Sequence, residues 1–182
     1  MNAFVFLVKT LFDLYIMVVL LRIWLQWARA DFYNPFSQFV VKATQPVLKP
    51  LRRVIPALGP IDTASVLFAL VLTMAKIVAI TLIAGGGLPP WLPLLITTPL
   101  ALIQNIFDLV LYVVIAGVIL SWVMQGYNPI AMAIGQLTEP LLRPIRRLLP
   151  NLGGLDFSPM VLLLGLYFLK LLIADMTGIH FG

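Results

Sequence analysis

Two aspartates and two lysines stand inside long apolar stretches of this sequence: Asp13, Lys76, Asp108 and Lys170. At 1.5 Å per helical residue, each lies roughly 18 to 21 Å from the end of its apolar stretch that adjoins a basic loop. The acids and the lysines are therefore expected at similar depth. Opposite charges at one depth predict two ion pairs, Asp13 with Lys76 and Asp108 with Lys170, or the crossed pairing between the halves of the chain.

Two kinds of chemistry suit these intramembrane charges. As acids, Asp13 and Asp108 could take up and release protons or cations along a route between the halves. As partners of lysines, they would lock their helices in register, because a lone charge at the centre of a spanning helix costs about 2.5 to 3.5 kcal/mol. A cation pathway usually needs an unpaired acid, so the balanced charges favour the structural interpretation.

The elements that must position these charges are long apolar helices. The chain has 182 residues, of which 62% are hydrophobic and 10% are charged, too little polar surface to cover a water-soluble globule. A span needs about 20 apolar residues, and four stretches qualify: 4–27, 64–84, 100–124 and 158–176. The predicted fold class is all-α, a polytopic membrane protein with four transmembrane helices.

The sequence carries one basic, proline-rich segment twice, at an offset of 94 residues. Upstream of this segment the second copy lacks one loop residue, so the offset there is 95, which matches Asp13 to Asp108 and Trp27 to Trp122. Residues 34–56 recur as residues 128–150. The duplication predicts two parallel tandem repeats, 1–87 and 100–182, joined by a linker at 88–99. The shared positions are an Asn-Pro pair, two further prolines and two arginines, namely Asn34, Pro35, Pro46, Pro50, Arg52 and Arg53 in the first copy and Asn128, Pro129, Pro140, Pro144, Arg146 and Arg147 in the second.

Each copy of this segment is expected to form an amphipathic element along the membrane surface. Thr44 and Thr138 are expected to cap a turn, and Pro50 and Pro144 to kink or break the helix, since proline removes an amide donor. The apolar face at helical spacing comprises Phe36, Phe39, Val40, Ala43 and Val47, and again Ile130, Ala133, Ile134, Leu137 and Leu141.

The basic residues of the two segments predict a docking surface for anionic lipid or for an unidentified membrane or cytoplasmic protein. The alternative is that they only retain the loops in the cytoplasm. Under that positive-inside rule, both termini lie on the non-cytoplasmic side. The residues concerned are Lys49, Arg52, Arg53, Arg143, Arg146 and Arg147.

Other polar and aromatic residues are expected at the membrane interface. Lys9, Arg22 and Asp175 lie near helix ends, where snorkelling to the headgroups is ordinary. Gly117, which stands in the place of Arg22 in the second repeat, is expected to permit close helix contact. The predicted interfacial anchors are Trp24, Trp27, Trp91 and Trp122.

The composition also argues against several classes of function. There is no cysteine and only one histidine, His180, so we expect neither a metal centre nor a bound cofactor. No phosphate-binding loop or catalytic dyad is recognisable, and we expect no enzyme activity. The net charge of +5 lies beside apolar spans, which favours anionic lipid over nucleic acid as the partner.

The repeated pattern of Asn-Pro, then Thr-x-Pro-x-x-x-Pro-x-Arg-Arg-x-x-Pro, then an aspartate before the next span resembles the YggT family, also called YlmG. The run from Thr44 to Pro56 and its copy from Thr138 to Pro150 carry this resemblance. It implies a bacterial inner-membrane protein with plastid relatives. Family members are linked to cytochrome b6 haem maturation, to division or nucleoid organisation, and to osmotic tolerance.

The sequence therefore leads to two functional hypotheses. The first is a non-enzymatic inner-membrane scaffold or assembly factor that docks through its basic segments. The alternative is an ion-linked transporter or osmotic-response channel that works as a homo-oligomer, since four helices are few for a transporter.

Overall fold

The protein is described by a computed structural model covering residues 3–57, 62–124, 126–149 and 156–177. These residues form six helices and their connections: α1 Ala3–Trp27, α2 Pro35–Val54, α3 Thr63–Ile83, α4 Trp91–Val123, α5 Pro129–Leu148 and α6 Ser158–Thr177. Four of them, α1, α3, α4 and α6, are long and apolar enough to cross a membrane. The all-α prediction is confirmed at this level.

The start of α4 corrects the sequence prediction. The helix begins at Trp91, so most of the linker expected at 88–99 is helical. Pro93 lies in the first turn, where helical amides have no intrahelical acceptor and proline loses nothing. With 33 residues, α4 is about 50 Å long, well beyond the roughly 30 Å of a hydrocarbon core.

The starts of α2 and α5 are fixed by the Asn-Pro pairs. The Asn34 side chain accepts a hydrogen bond from the Phe36 amide at 2.9 Å, and Asn128 accepts one from Ile130 at 2.8 Å. Asparagine is a preferred N-cap, and proline suits the next position. The caps expected at Thr44 and Thr138 are wrong. Both threonines lie inside their helices and donate to the carbonyl four residues back, Val40 and Ile134.

Neither short helix breaks at its prolines. α2 continues through Pro46 and Pro50, and α5 through Pro140 and Pro144. The predicted break is therefore wrong, and a kink within each continuous helix stays a prediction.

Only part of the apolar face predicted for α2 is buried against protein. Phe39 and Val47 are exposed, because outward surfaces of a membrane protein are also apolar and hydrophobicity alone does not select the packed face. The buried positions are Ser37, Val40, Thr44 and Leu48 in α2, and Ala133, Ile134, Leu137, Thr138 and Leu142 in α5.

The two halves of the chain share one apolar core. Within the halves, α1 contacts α2 and α3, and α4 contacts α5 and α6; between them, α4 contacts α1 and α3, and α2 contacts α5. Trp24 belongs to this core and is 9% exposed, so its predicted role as an interfacial anchor is wrong, whereas Trp27, Trp91 and Trp122 are exposed. The core joins buried side chains from both halves, among them Ile16, Val19, Leu25, Leu109, Val113 and Leu137.

Candidate functional site

The intramembrane charges meet within each half. Lys76 Nζ on α3 donates to Asp13 Oδ1 on α1 at 2.6 Å, and Lys170 on α6 donates in the same way to Asp108 on α4. The side chains of Lys76 and Asp13 are 11% and 22% exposed. Each pair therefore ties the first and last helix of its half together at depth.

The six predicted docking residues separate into two groups. Arg52 at the end of α2 donates through Nε to Asp62 Oδ2 at 3.1 Å, and Asp62 caps α3. Arg146 at the end of α5 repeats the contact, with Nε 2.8 Å from Asp156 Oδ2. Arg146 also donates to Glu139 Oε2 at 2.7 Å. These two arginines brace the surface helix against the next spanning helix, so their charges are already compensated.

The sequence contains a signal that could have predicted the contacts of Arg52 with Asp62 and of Arg146 with Asp156. An aspartate one to three residues before a serine, at the start of an apolar run, is typical of a helix N-cap. Asp62 accepts hydrogen bonds from the Ser65 amide and hydroxyl, and Asp156 accepts both from Ser158. An acid fixed at a helix start beside a loop arginine would have suggested the ion pair.

Burial and ion pairing act in opposite directions on these groups. Burial raises the pKa of Asp62, but the hydrogen bonds and charge of Arg52 and the Ser65 bonds outweigh it and leave the pKa below its ordinary value. The pKa of Asp156 is lowered in the same way by Ser158 and Arg146 despite burial. Burial lowers the pKa of Arg146, yet its two carboxylate partners raise it overall. All three groups are charged at neutral pH.

The other four docking residues form what we call the basic surface: Lys49 and Arg53 on α2, and Arg143 and Arg147 on α5. All four are exposed, and in the described residues no acid lies within ion-pair distance of them. Each pair has the i, i+4 spacing that places side chains on one face of a helix.

The two helices that carry the basic surface are joined directly. The Asn34 side-chain amide donates to the Pro129 carbonyl at 2.6 Å, and the Asp31 amide donates to Gln136 Oε1 at 2.9 Å. The starts of α2 and α5 are thus tied together, and the four uncompensated cations lie toward the other ends of these two joined helices.

Arg22 is placed differently from the sequence prediction. Its side chain does not snorkel but is buried, 6% exposed, and donates to Thr44 Oγ1 at 2.5 Å and to the Val41 carbonyl at 3.2 Å. The hydroxyl and carbonyl of α2 satisfy the guanidinium inside the protein, so it has no need of the headgroup region. The first half therefore contains a buried cation that fills the space between α1 and α2.

The corresponding space in the second half is a cavity of about 840 Å³. It lies between α4, α5 and α6. Gly117 stands there in the place of Arg22, and a Cβ at this glycine would lie 3.2 Å from Ile134 Cγ2, so the predicted close helix contact is present. The residues that line the cavity include Gly117, Gly135, Thr138, Leu142, Arg146 and Asp156.

No cluster of three His, Asp or Glu side chains suited to a metal ion occurs within the described residues. His180, the single histidine, lies outside them.

Four membrane-length helices, paired charges at depth and two surface helices define a polytopic α-helical membrane protein. The CCB3/YggT family model matches the chain in two segments, residues 1–83 and 96–177. The chain belongs to the CCB3/YggT family, as the sequence motif indicated.

Bacterial relatives match almost the whole chain. An "uncharacterized protein in proC 3'region" of Vibrio alginolyticus is 55% identical over 98% of this chain and 97% of its own length. An "uncharacterized protein YggT" of Escherichia coli K12 is 52% identical over 96% of this chain and 91% of its own. A Haemophilus influenzae protein is 43% identical over 94% and 91%. No solved structure matches.

Proposed function

We propose that this protein is a non-enzymatic scaffold or assembly factor of the bacterial inner membrane that engages anionic lipid headgroups, and through them or beside them a protein partner, with its basic surface. The observation that carries the proposal is the division of the six predicted docking residues into two braced arginines and four exposed cations without acidic partners.

The uncompensated cations have the position and spacing that lipid binding needs. Each Lys or Arg near an anionic membrane surface contributes about 1 kcal/mol of attraction, so Lys49, Arg53, Arg143 and Arg147 together offer roughly 4 kcal/mol. Retaining a loop in the cytoplasm does not require two helices tied to each other through Asn34 and Pro129. A built surface of this kind supports docking over a purely topological role.

The orientation and repeat structure are part of the same proposal. Positive charge on both short helices places α2 and α5 in the cytoplasm and both termini on the other side. The two-segment family match and the paired contacts Lys76–Asp13 and Lys170–Asp108 support parallel tandem repeats. Within each continuous surface helix, Pro50 or Pro144 introduces a kink.

The test compares lipid retention by the purified protein and a charge-removal variant. Lys49, Arg53, Arg143 and Arg147 are all replaced by Gln, and the control exchanges Lys for Arg and Arg for Lys at the same positions. In mixed micelles of phosphatidylglycerol and phosphatidylcholine with matched acyl chains, native mass spectrometry counts the retained lipids. The proposal expects the folded Gln variant to lose its preference for phosphatidylglycerol and the control to keep it. If the Gln variant and the control kept the same preference for phosphatidylglycerol, the proposed role of the basic surface in lipid binding would be refuted.

A second function, an ion-linked transporter or osmotic-response channel working as a homo-oligomer, is favoured by one observation. The side-chain nitrogens of Gln104 and Asn105 on α4 are buried without a hydrogen-bond partner in the described structure, one turn from Asp108. Unsatisfied polar groups at depth are costly and suit a polar path. Ion flux in proteoliposomes distinguishes the two functions, because a scaffold carries none.

A further inference from the structure

The cavity of the second half lies where the first half holds the Arg22 guanidinium. The acceptors that Arg22 uses have direct counterparts: Thr44 corresponds to Thr138, and the Val41 carbonyl to that of Gly135. Thr138 Oγ1 donates to the Ile134 carbonyl at 3.0 Å, and within the described residues no donor is directed at this oxygen. An acceptor set that binds a cation in one half is therefore present without a cation in the other.

Two large side chains are replaced by glycine at this position. Gly117 stands in place of Arg22 and Gly135 in place of Val41, and both line the cavity. A glycine inside a helix costs about 1 kcal/mol relative to alanine, and a Cβ at Gly135 would meet nothing within 4 Å, so no close packing requires this glycine and it leaves the space open. A volume near 840 Å³ is in the range of ligand sites.

The charge balance around the space has also changed. The first half has Arg22 interacting electrostatically with Arg52 and Asp62. The second half has lost the counterpart of Arg22 and has gained Glu139 in place of Gln45. The charged residues that line the cavity are Arg146 and Asp156, which pair with each other, and Glu139 pairs with Arg146 from outside the lining. The cavity therefore lacks the buried cation that the first half holds at this position.

The residues that line the cavity indicate which kind of molecule would carry a cationic group into it. Val114, Leu142 and Leu163 form an apolar lining, and the exposed Trp122 and Met160 stand at its edge, so the space opens outward beside helices that span a membrane. A guanidinium has five N–H donors, and Arg146 uses only Nε and one Nη1 donor on its carboxylates. The remaining N–H groups can donate to the oxygens of a phosphodiester beside the bound cation.

We propose that this cavity is a binding site for a phospholipid whose headgroup carries a primary ammonium. The ammonium takes the position of the Arg22 guanidinium, donating to Thr138 Oγ1 and the Gly135 carbonyl. The phosphodiester faces Arg146, and the acyl chains follow the apolar wall into the bilayer. The site is separate from the basic surface, which selects net negative charge.

The test is native mass spectrometry of the full chain in micelles containing equal phosphatidylethanolamine, phosphatidylcholine and phosphatidylglycerol with identical acyl chains. The expected result is one phosphatidylethanolamine retained roughly tenfold above phosphatidylcholine, the factor that one hydrogen bond to a charged group supplies. The quaternary ammonium of choline has no N–H to donate. Equal retention of these two lipids would overturn the proposal, as would a preference for phosphatidylglycerol alone at this stoichiometry.

Three variants locate the bound lipid. Gly135→Val fills the cavity with the residue of the first half, and a Cβ there meets nothing within 4 Å, so the fold accommodates it. Thr138→Val removes the acceptor at nearly equal volume. Both are expected to lose the tenfold preference. The Arg22→Gly, Val41→Gly double variant, which copies both glycines of the second half, is expected to add a second phosphatidylethanolamine by opening the matching space. An unchanged preference in both folded second-half variants would place the lipid elsewhere and overturn the assignment.

Discussion

The first half of this protein is closed and the second half is open, although both are built from the same pattern of residues. In the first half, Arg22 fills the space beneath α2, and five residues of α3 are buried. In the second half, Gly117 leaves a cavity there, and only Ser158 and Ala174 are buried in α6. The two copies of the repeated sequence thus form similar sets of helices, and exchanges such as Arg22 to Gly117 accompany packing in one half and a cavity in the other.

The shared features and the differing ones have distinct roles. Asparagine caps, arginine braces and lysine–aspartate pairs occur at matching positions in both halves, as the parts that any copy needs to fold. The counterparts of Arg22 and Val41, Gly117 and Gly135, both line the cavity of the second half. Exchanges at matching positions are more informative about a difference in function than the features that are repeated.

The largest expected effect comes from breaking an intramembrane pair. Asp13→Asn leaves Lys76 charged at depth, and removing one partner of a buried pair costs about 3 to 5 kcal/mol. We expect a large drop in the thermal unfolding midpoint in detergent. Asp108→Asn should have a similar effect through Lys170. The Asp13→Asn, Lys76→Gln double variant removes the stranded charge and should recover most of the loss; an unchanged midpoint in the single variant would show that the pair is not structural.

Removing the Arg22 side chain from the first half should lower the stability of the protein. Arg22→Gly empties the space beneath α2 and removes the hydrogen bonds from the guanidinium to Thr44 Oγ1 and the Val41 carbonyl. Creating a cavity by a large-to-small change typically costs about 2 to 5 kcal/mol, and we expect the lower part of that range because α1 can relax. Chemical denaturation monitored by tryptophan fluorescence measures it. A matched Gly117→Ala change should shift stability by less than about 1 kcal/mol.

The two N-caps should differ although their sequences are the same. Replacing an asparagine N-cap by alanine costs about 1 kcal/mol. Asn34 also donates to the Pro129 carbonyl, a contact between halves, so Asn34→Ala should cost more than Asn128→Ala. Thermal unfolding of the two variants side by side gives the difference. Equal losses would show that the contact between α2 and α5 contributes nothing to stability.

The smallest difference is in acid sensitivity. Both Asp62 and Asp156 have pKa values below the ordinary value, so the stability they contribute is present above about pH 4 and is lost as pH falls through the lowered pKa. The Asp62 side chain is 4% exposed and that of Asp156 is 42% exposed. Less solvent screening makes the Asp62 contribution larger.

Unfolding midpoints between pH 3 and 7 measure this dependence. Asp62→Asn should flatten the profile more than Asp156→Asn does. The reverse order would contradict the account of the two braces.

The sequence predicted what depends on hydrophobicity, spacing and duplication. Four apolar stretches and a period of 94 residues led to the helices, the halves and the matched depths of Asp13 and Lys76. The sequence prediction failed where one side of a helix faces protein and the other faces lipid, because both surroundings are apolar. Hydrophobicity cannot then distinguish a packed face from a lipid face, so the apolar pattern of α2 did not reveal that Val40 is buried and Phe39 exposed. Arg22 was expected to snorkel to the headgroups and is buried instead.

The candidate site was only partly accessible for a related reason. Charge identified six basic residues, but not which ones an acid neutralises, since this depends on how Arg52 and Asp62 meet after the chain turns. The Arg22 to Gly117 exchange was visible in the sequence. Its meaning required knowing that Arg22 is buried, because only then does a glycine at the matching position leave a space.

The central claim, that this is a scaffold whose intramembrane charges hold it together, is tested most directly by ion flux. Purified protein in liposomes is assayed for proton and potassium movement, with the charge-neutral Asp108→Asn, Lys170→Gln variant, shown to be folded, as the control. The account predicts no flux above empty liposomes for either protein. Flux through the wild-type protein that disappears in the folded variant would contradict it and make Asp108 part of a transport path.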